Sequence, residues 1–294
     1  MGDLIFIAVL LSIGILLRRI NMGDGFDKSL NDFIIYVSLP AVALIYAPKI
    51  HFDSNTFSIV LISWLLLALS ALFVIWLTKD MPQQIRASML LIVPLGNTSF
   101  LAIPLIKALA GEGSMPYILI YDQFGTFLAL STYGAFIIGY YEHGALDWKK
   151  IGKKIATFPP LIALVCALMI GEQSQVVQSY LKILAATLSP LAMVSVGYAL
   201  RLSFGGDSIL FAKAIGTKML LMPLAAFFIS KLFGLNDEAL TTVTLEAGMP
   251  SMITAGILAI RHNFAPALAS AMVGYGIIIS LFLTPFIFYI IRMY

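Results

Sequence analysis

The sequence predicts an all-α integral membrane protein of ten transmembrane helices, built as two five-helix repeats inverted relative to each other. Three observations carry this expectation. Of 294 residues 60% are hydrophobic and 11% charged, whereas a soluble chain carries about a quarter charged residues. Uncharged runs long enough to span recur, from Asp53 to Lys79 and from Arg261 to Arg292, and a spanning helix needs only ~20 residues. At an offset of 152, Tyr46 falls on Tyr198, Lys49 on Arg201, Phe52 on Phe204, Gly96 on Gly248 and Ser99 on Ser251. Five spans per half is an odd number, so a second copy enters the membrane from the opposite side.

The ten spans are read at 3–20, 28–47, 55–78, 84–109, 115–141, 155–172, 176–200, 208–233, 237–260 and 264–292, with the repeats at 1–148 and 149–294. The first has an acid before its apolar run and Arg18 and Arg19 after it, the reverse of a secretory signal, and is read as a retained helix. Phe6 stands where a myristoylation signal needs Ser or Thr. Basic residues set orientation, because Lys and Arg accumulate on the cytoplasmic side. Ten spans place twelve of them on one side and five (Lys49, Lys107, Lys182, Lys231, Arg292) on the other. Both termini are therefore expected outside, with "DWKKIGKK" as a cytoplasmic loop acting as a topogenic signal.

The fourth span contains "VPLGNTSFLAIP" and the ninth "TLEAGMPSMITAG". Pro94 and Pro250 each remove a helical N–H, and Gly96 and Gly248 lower the cost of unwound backbone. Asn97, Thr98 or Ser99 is expected to cap a new half-helix in the fourth span, and Ser251 in the ninth. Broken backbone at membrane depth is tolerated where it is buried in protein or lines a cavity. At ~1.5 Å per residue, Asn97, Glu246, Asp122 and Lys218 all fall near one level of a core ~30 Å thick. Asp122 and Thr126, four apart, share a helix face. Lys218 either snorkels or pairs with an acid, and Asp122 is then its buried partner. Asp32 and Lys107 lie near predicted ends and are read as interfacial.

"GNTSFLAIPLI" followed by "EAGMPSMITAGILA" resembles the auxin efflux carrier family, within the wider bile acid and sodium symporter superfamily. Its bacterial members include proteins assigned as malonate and malate permeases. The resemblance implies that helices four and nine cross at their breaks. It also implies a scaffold from the helices at 3–20, 28–47, 155–172 and 176–200, which often dimerises, and a transport domain from the other six. In the superfamily "EAGM" resembles a sodium-site segment, which points to Glu246, Asn97 and Thr126 as cation ligands, with Asp122 as an addition. Asn97, Thr98, Ser99, Met249 and Ser251 are the expected substrate contacts. The long central hydrophilic loop of the plant carriers is missing, which argues against auxin itself as substrate.

The chemistry agrees with that implication. An oxygen-rich set suits Na⁺, and the N-terminus of the half-helix after Pro250 favours an anion. Two carboxylates and one ammonium leave about −1, which a bound cation neutralises. The expected function is secondary active transport of a small organic carboxylate by an elevator-type mechanism, sodium-coupled, with proton-coupled or uncoupled transport as the alternative. The expected setting is the bacterial inner membrane, as a homodimer among lipids, with no nucleic-acid partner and no cofactor beyond bound Na⁺. His51, His143 and His262 are too scattered for a transition-metal site, and Cys166 is the only cysteine. No GxSxG or HExxH motif supports an enzyme, and no filter sequence supports a channel, which with a membrane sensor is the remaining rival.

Overall fold

Short polar side chains start some of these helices and glycines stop others. The computed structural model describes residues 2–20, 22–23, 25–142, 144, 147–202 and 208–293. Its helices are α1 (Gly2–Ile20), α2 (Phe26–Lys49), α3 (Ser54–Leu77), α4 (Gln83–Ile92), α5 (Ala102–Ala110), α6 (115–141), α7 (Trp148–Ala156), α8 (Pro159–Ile170), α9 (Gln175–Ala199), α10 (Ser208–Leu232), α11 (Asp237–Ala247), α12 (Ile253–Arg261) and α13 (Pro266–Ile291). Asp53, Ser174 and Asn236 accept from Thr56, Val177 and Ala239 main-chain N–H groups at 3.0, 3.4 and 2.8 Å, capping α3, α9 and α11. Gly111, Gly171 and Gly234, at φ of +83°, +76° and +66°, follow α5, α8 and α10, where a side chain would be strained.

All ten predicted stretches contain helix. Among the described residues five helices, α2, α3, α9, α10 and α13, are long and apolar enough to cross a membrane singly. The pair α7 and α8, bent by 56°, makes a sixth if it is one span. Among the described residues there is no strand, only a two-residue antiparallel bridge between Gly96 and Ser251. The outer faces of α3 and α13 expose Phe57, Leu61, Leu72, Phe282 and Phe286, as a lipid-facing surface does.

One predicted loop is helical. "DWKKIGKK" forms most of α7, because Asp147 accepts from the Lys150 N–H at 3.0 Å and Lys153 and Lys154 sit in the last turn, where the helix dipole favours cations. Two residues used in reading the sequence, His143 and Phe204, lie outside the described residues.

The helices pack in two groups. α1 lies along the second half of α9, while α2 packs on α8 and α9. A Cβ added at Gly14 would come within 2.8 Å of the Tyr198 nitrogen and 3.0 Å of the Gly197 carbonyl carbon, so this crossing needs glycine. The remaining helices form the second group, with α10 on α11 and α3, and α12 and α13 on α4.

Among the described residues four segments are π-helical: Ile34–Ser38, Tyr121–Phe127, Leu130–Gly134 and Thr217–Leu221. Such turns concentrate at functional sites. Two of them hold Asp122, Thr126 and Lys218.

Candidate functional site

The site forms where two interrupted helices cross. α4 ends at Ile92 and α5 begins at Ala102; α11 ends at Ala247 and α12 begins at Ile253. The Asn97 N–H donates to the Pro250 carbonyl at 2.8 Å, and the Met252 N–H donates to the Leu95 carbonyl at 2.9 Å. Each break therefore supplies the main-chain partners that the other has lost. Pro94 leaves the Leu90 carbonyl without its helical donor, and the Tyr133 hydroxyl donates to it at 2.8 Å. The Ser251 hydroxyl donates to the Ile92 carbonyl at 2.6 Å. Gly276 of α13 allows Pro250 to approach, since a Cβ there would stand 2.9 Å from the Pro250 Cβ. Gly248 meets Pro223 of α10 in the same way, at 3.3 Å.

The expected capping is not what the structure shows. Leu101 and Met252 occupy the cap positions of α5 and α12, and neither half-helix has a side-chain cap. The hydroxyls are committed elsewhere. Thr98 and Ser99 both donate to Asp122 Oδ1, at 2.5 Å each, and Gln123 Nε2 donates to Oδ2 at 2.7 Å. Asp122 thus ties α6 to the first break, with its carboxylate fully supplied with donors.

Glu246 differs. It sits in the last turn of α11 with 0% of its surface exposed, and neither carboxylate oxygen has a hydrogen-bond partner. It faces a cavity of about 20 Å³, room for about one water-sized particle. Gly96, Thr98, Thr126, Ser63 and Lys218 also line that cavity. Lys218, 4% exposed, brings its ammonium against the first break: a Cβ at Gly96 would lie 3.0 Å from Nζ. Lys218 forms no ion pair within 4.0 Å among the described residues, so it is not the close partner of Asp122.

The remaining residues singled out in the sequence are nearby. Asn97 is buried, and its Nδ2 has no partner. Pro94 lines the cavity with Gly96, and Met249 is fully buried with its carbonyl toward Gly96. The structure adds residues that sequence reasoning missed, Ser63, Trp64, Ser70, Tyr121 and Gln123. Ser63 and Ser70 carried a legible signal. They stand seven apart in an otherwise apolar helix, both face inward, and both line the cavity. Ser63 also touches α6 closely, since a Cβ at Gly125 would fall 2.5 Å from its Oγ. Among the described residues no three His, Cys, Asp or Glu side chains cluster as a metal site.

Comparison with known proteins gives the family. Residues 1–288 match the family described as membrane transport protein. An uncharacterized transporter of Methanothermobacter thermautotrophicus is 28% identical over 193 residues, 64% of this chain, and the match spans 63% of that relative's length. An uncharacterized transporter of Methanocaldococcus jannaschii is 26% identical over 250 residues, 79% of each chain. The chain belongs to the membrane transport protein family, the auxin efflux carrier family, and is a multi-pass membrane transporter and not an enzyme.

Proposed function

We propose that this transporter moves a small organic carboxylate by secondary active, elevator-type alternating access, coupled to Na⁺. The observation that carries the proposal is the buried Glu246 carboxylate, without any hydrogen-bond donor, facing a one-particle cavity beside the crossed breaks. An unpaired buried carboxylate costs several kcal/mol, and a bound cation removes that cost. Glu246 of α11, Thr98 of the first break and Thr126 of α6 offer it oxygens, with Asn97 and Asp122 in the next layer. Asp122 and Glu246 against Lys218 leave about −1, the charge of one monovalent site. The uncapped half-helix α12 also leaves N–H groups at its start, which suit the carboxylate of the substrate, whereas at the start of α5 the Ala102 N–H donates to the Asn97 carbonyl at 3.2 Å and Pro104 has none. Thr98, Ser99, Met249 and Ser251 would flank it.

The packing supports the mechanical part. α1, α2, α8 and α9 keep mainly to themselves, as a scaffold does, and both breaks belong to the other group. In this reading α4 with α5 and α11 with α12 each count as one span. The chain then has ten spans in two inverted repeats, with both termini outside a bacterial inner membrane and a homodimer joined through the scaffold. A proton at Glu246 is the second reading, because it too answers two carboxylate oxygens without donors.

Uptake of labelled C3 to C5 carboxylates into proteoliposomes tests the proposal. Saturable uptake driven by an inward Na⁺ gradient is the expected result. Uptake that follows a pH gradient and ignores Na⁺ selects the proton instead, and flux that never saturates rejects the carrier mechanism.

A further inference from the structure

The positive-inside rule leaves few basic residues on the outer side of the chain, and three of the five meet in one place. Lys49 at the end of α2, Lys107 of α5 and Lys182 of α9 line a polar crevice of about 480 Å³ together with Tyr46, Glu112 and Gln178. Topology does not ask for lysines on that side. A crevice that gathers them is explained by a ligand.

The charges inside are unequal. Lys107 Nζ lies 3.1 Å from Glu112 Oε1, and both Lys107 and Lys49 stand over the Tyr46 ring, 5.9 and 5.3 Å from its centre. Lys49 and Lys182 form no ion pair among the described residues. Three ammonium groups against one carboxylate leave +2, a match for a small dianion. The walls come from both helix groups: α2 and α9 on one side, α5 and the turn after it on the other. α5 is the half-helix that starts at the first break, and Ile103, in its first turn, also lines the crevice.

We propose that this crevice is an anion-binding vestibule for a small dianion. Lys49, Lys107 and Lys182 supply the charge, Gln178 supplies a hydrogen bond, and Glu112 occupies Lys107 when no ligand is present. The ligand's role as incoming substrate rests on the anion-transport reading above; the vestibule itself rests on the lysines. A dianion displaces Glu112 from Lys107 and bridges the two helix groups, so its binding depends on how they are placed relative to each other.

Equilibrium binding of labelled succinate and of labelled inorganic phosphate to the purified chain in lipid nanodiscs, at fixed ionic strength, tests this. Lys49→Gln and Lys182→Gln are each expected to weaken binding about tenfold or more, the loss of one charge-assisted hydrogen bond. Glu112→Gln removes the internal competitor and is expected to tighten binding severalfold. A gain from one variant beside losses from the others cannot arise from misfolding. Succinate binding with phosphate indifferent assigns a dicarboxylate, and the reverse assigns a phosphate group. Affinities unchanged in all three variants overturn the vestibule even if uptake into proteoliposomes is normal. Lysine-dependent binding without any uptake leaves the vestibule standing and removes the transport reading instead.

Discussion

The Asn97 N–H donates to the Pro250 carbonyl at 2.8 Å, so an unwound residue of the first half of the chain is held by an unwound residue of the second. With the Met252 to Leu95 bond and the Ser251 to Ile92 bond, the two breaks form one hydrogen-bonded unit. Neither break mends without stripping partners from the other.

This sets the outcome of Pro250→Ala. Removing a proline relieves about 3 kcal/mol of helix penalty, while the three crossing bonds contribute about 1 kcal/mol each. The substitution therefore turns an obligatory break into a marginal one. Alanine keeps the Cβ that packs on Gly276, so folding is expected to change little. Transport is expected to fall severalfold, and further in the double variant with Pro94→Ala. Wild-type uptake by the double variant, at matched protein levels, would show that the breaks do not matter.

Gly96→Ala tests the placement of Lys218. The new Cβ would stand 3.0 Å from Nζ, and the flexible end of a lysine yields at a cost of about 1 kcal/mol or less. The fold is expected to hold while coupling-ion affinity drops. Adding Gly96→Ala to Lys218→Gln is expected to cause no further loss, because residues that act through one contact are not additive. Full additivity in cation titrations would separate the two residues.

The sequence was most legible where physical chemistry leaves few choices. Charge-free runs mark the helical stretches, and the paired Pro and Gly residues mark both breaks, because a proline and a glycine inside an apolar run weaken the helix there. The spacing of the halves was less legible. α4 and α11 begin 154 residues apart (237 − 83), whereas α5 and α12 begin 151 apart (253 − 102). The first break is longer than the second, and the single offset of 152 averages over the difference. Hydroxyl destinations were illegible for another reason. Thr98 and Ser99 are sound capping residues by local rules, but a carboxylate from α6 takes both donors, and that contact exists only in three dimensions.

Proton dependence separates the lysine crevice from the buried site. The hydrogen bond from Lys107 holds the Glu112 carboxyl below the ordinary carboxylate range, with the Lys107 and Lys49 charges acting in the same direction. A depressed carboxylate keeps its pair above its unfolded value and loses it as pH falls through the lower folded value. The Lys107 to Glu112 pair is therefore expected to stay closed between pH 6 and 8, more than a unit above the ordinary carboxylate value of about 4.3 and further above the depressed one. Glu112→Gln is expected to change the level of uptake over that window and not the shape of its pH profile. A shifted inflection in the variant would place the titration in the crevice.

The decisive prediction concerns Glu246. Glutamine keeps the shape of the side chain and removes its charge. If Glu246 binds Na⁺, then Glu246→Gln is expected to lose cation affinity about tenfold or more. Substrate affinity should fall with it, because two ligands that stabilise one state couple reciprocally. If Glu246 carries a proton, glutamine mimics the protonated form: the variant still binds substrate, no longer responds to pH, and was never sensitive to Na⁺. Titrating substrate binding in wild type and Glu246→Gln against Na⁺ at fixed pH, and against pH at fixed Na⁺, tells these apart. Na⁺-dependent binding that persists unaltered in the variant would remove Glu246 from the cation site and leave its buried, unpartnered carboxylate without a ligand to explain it.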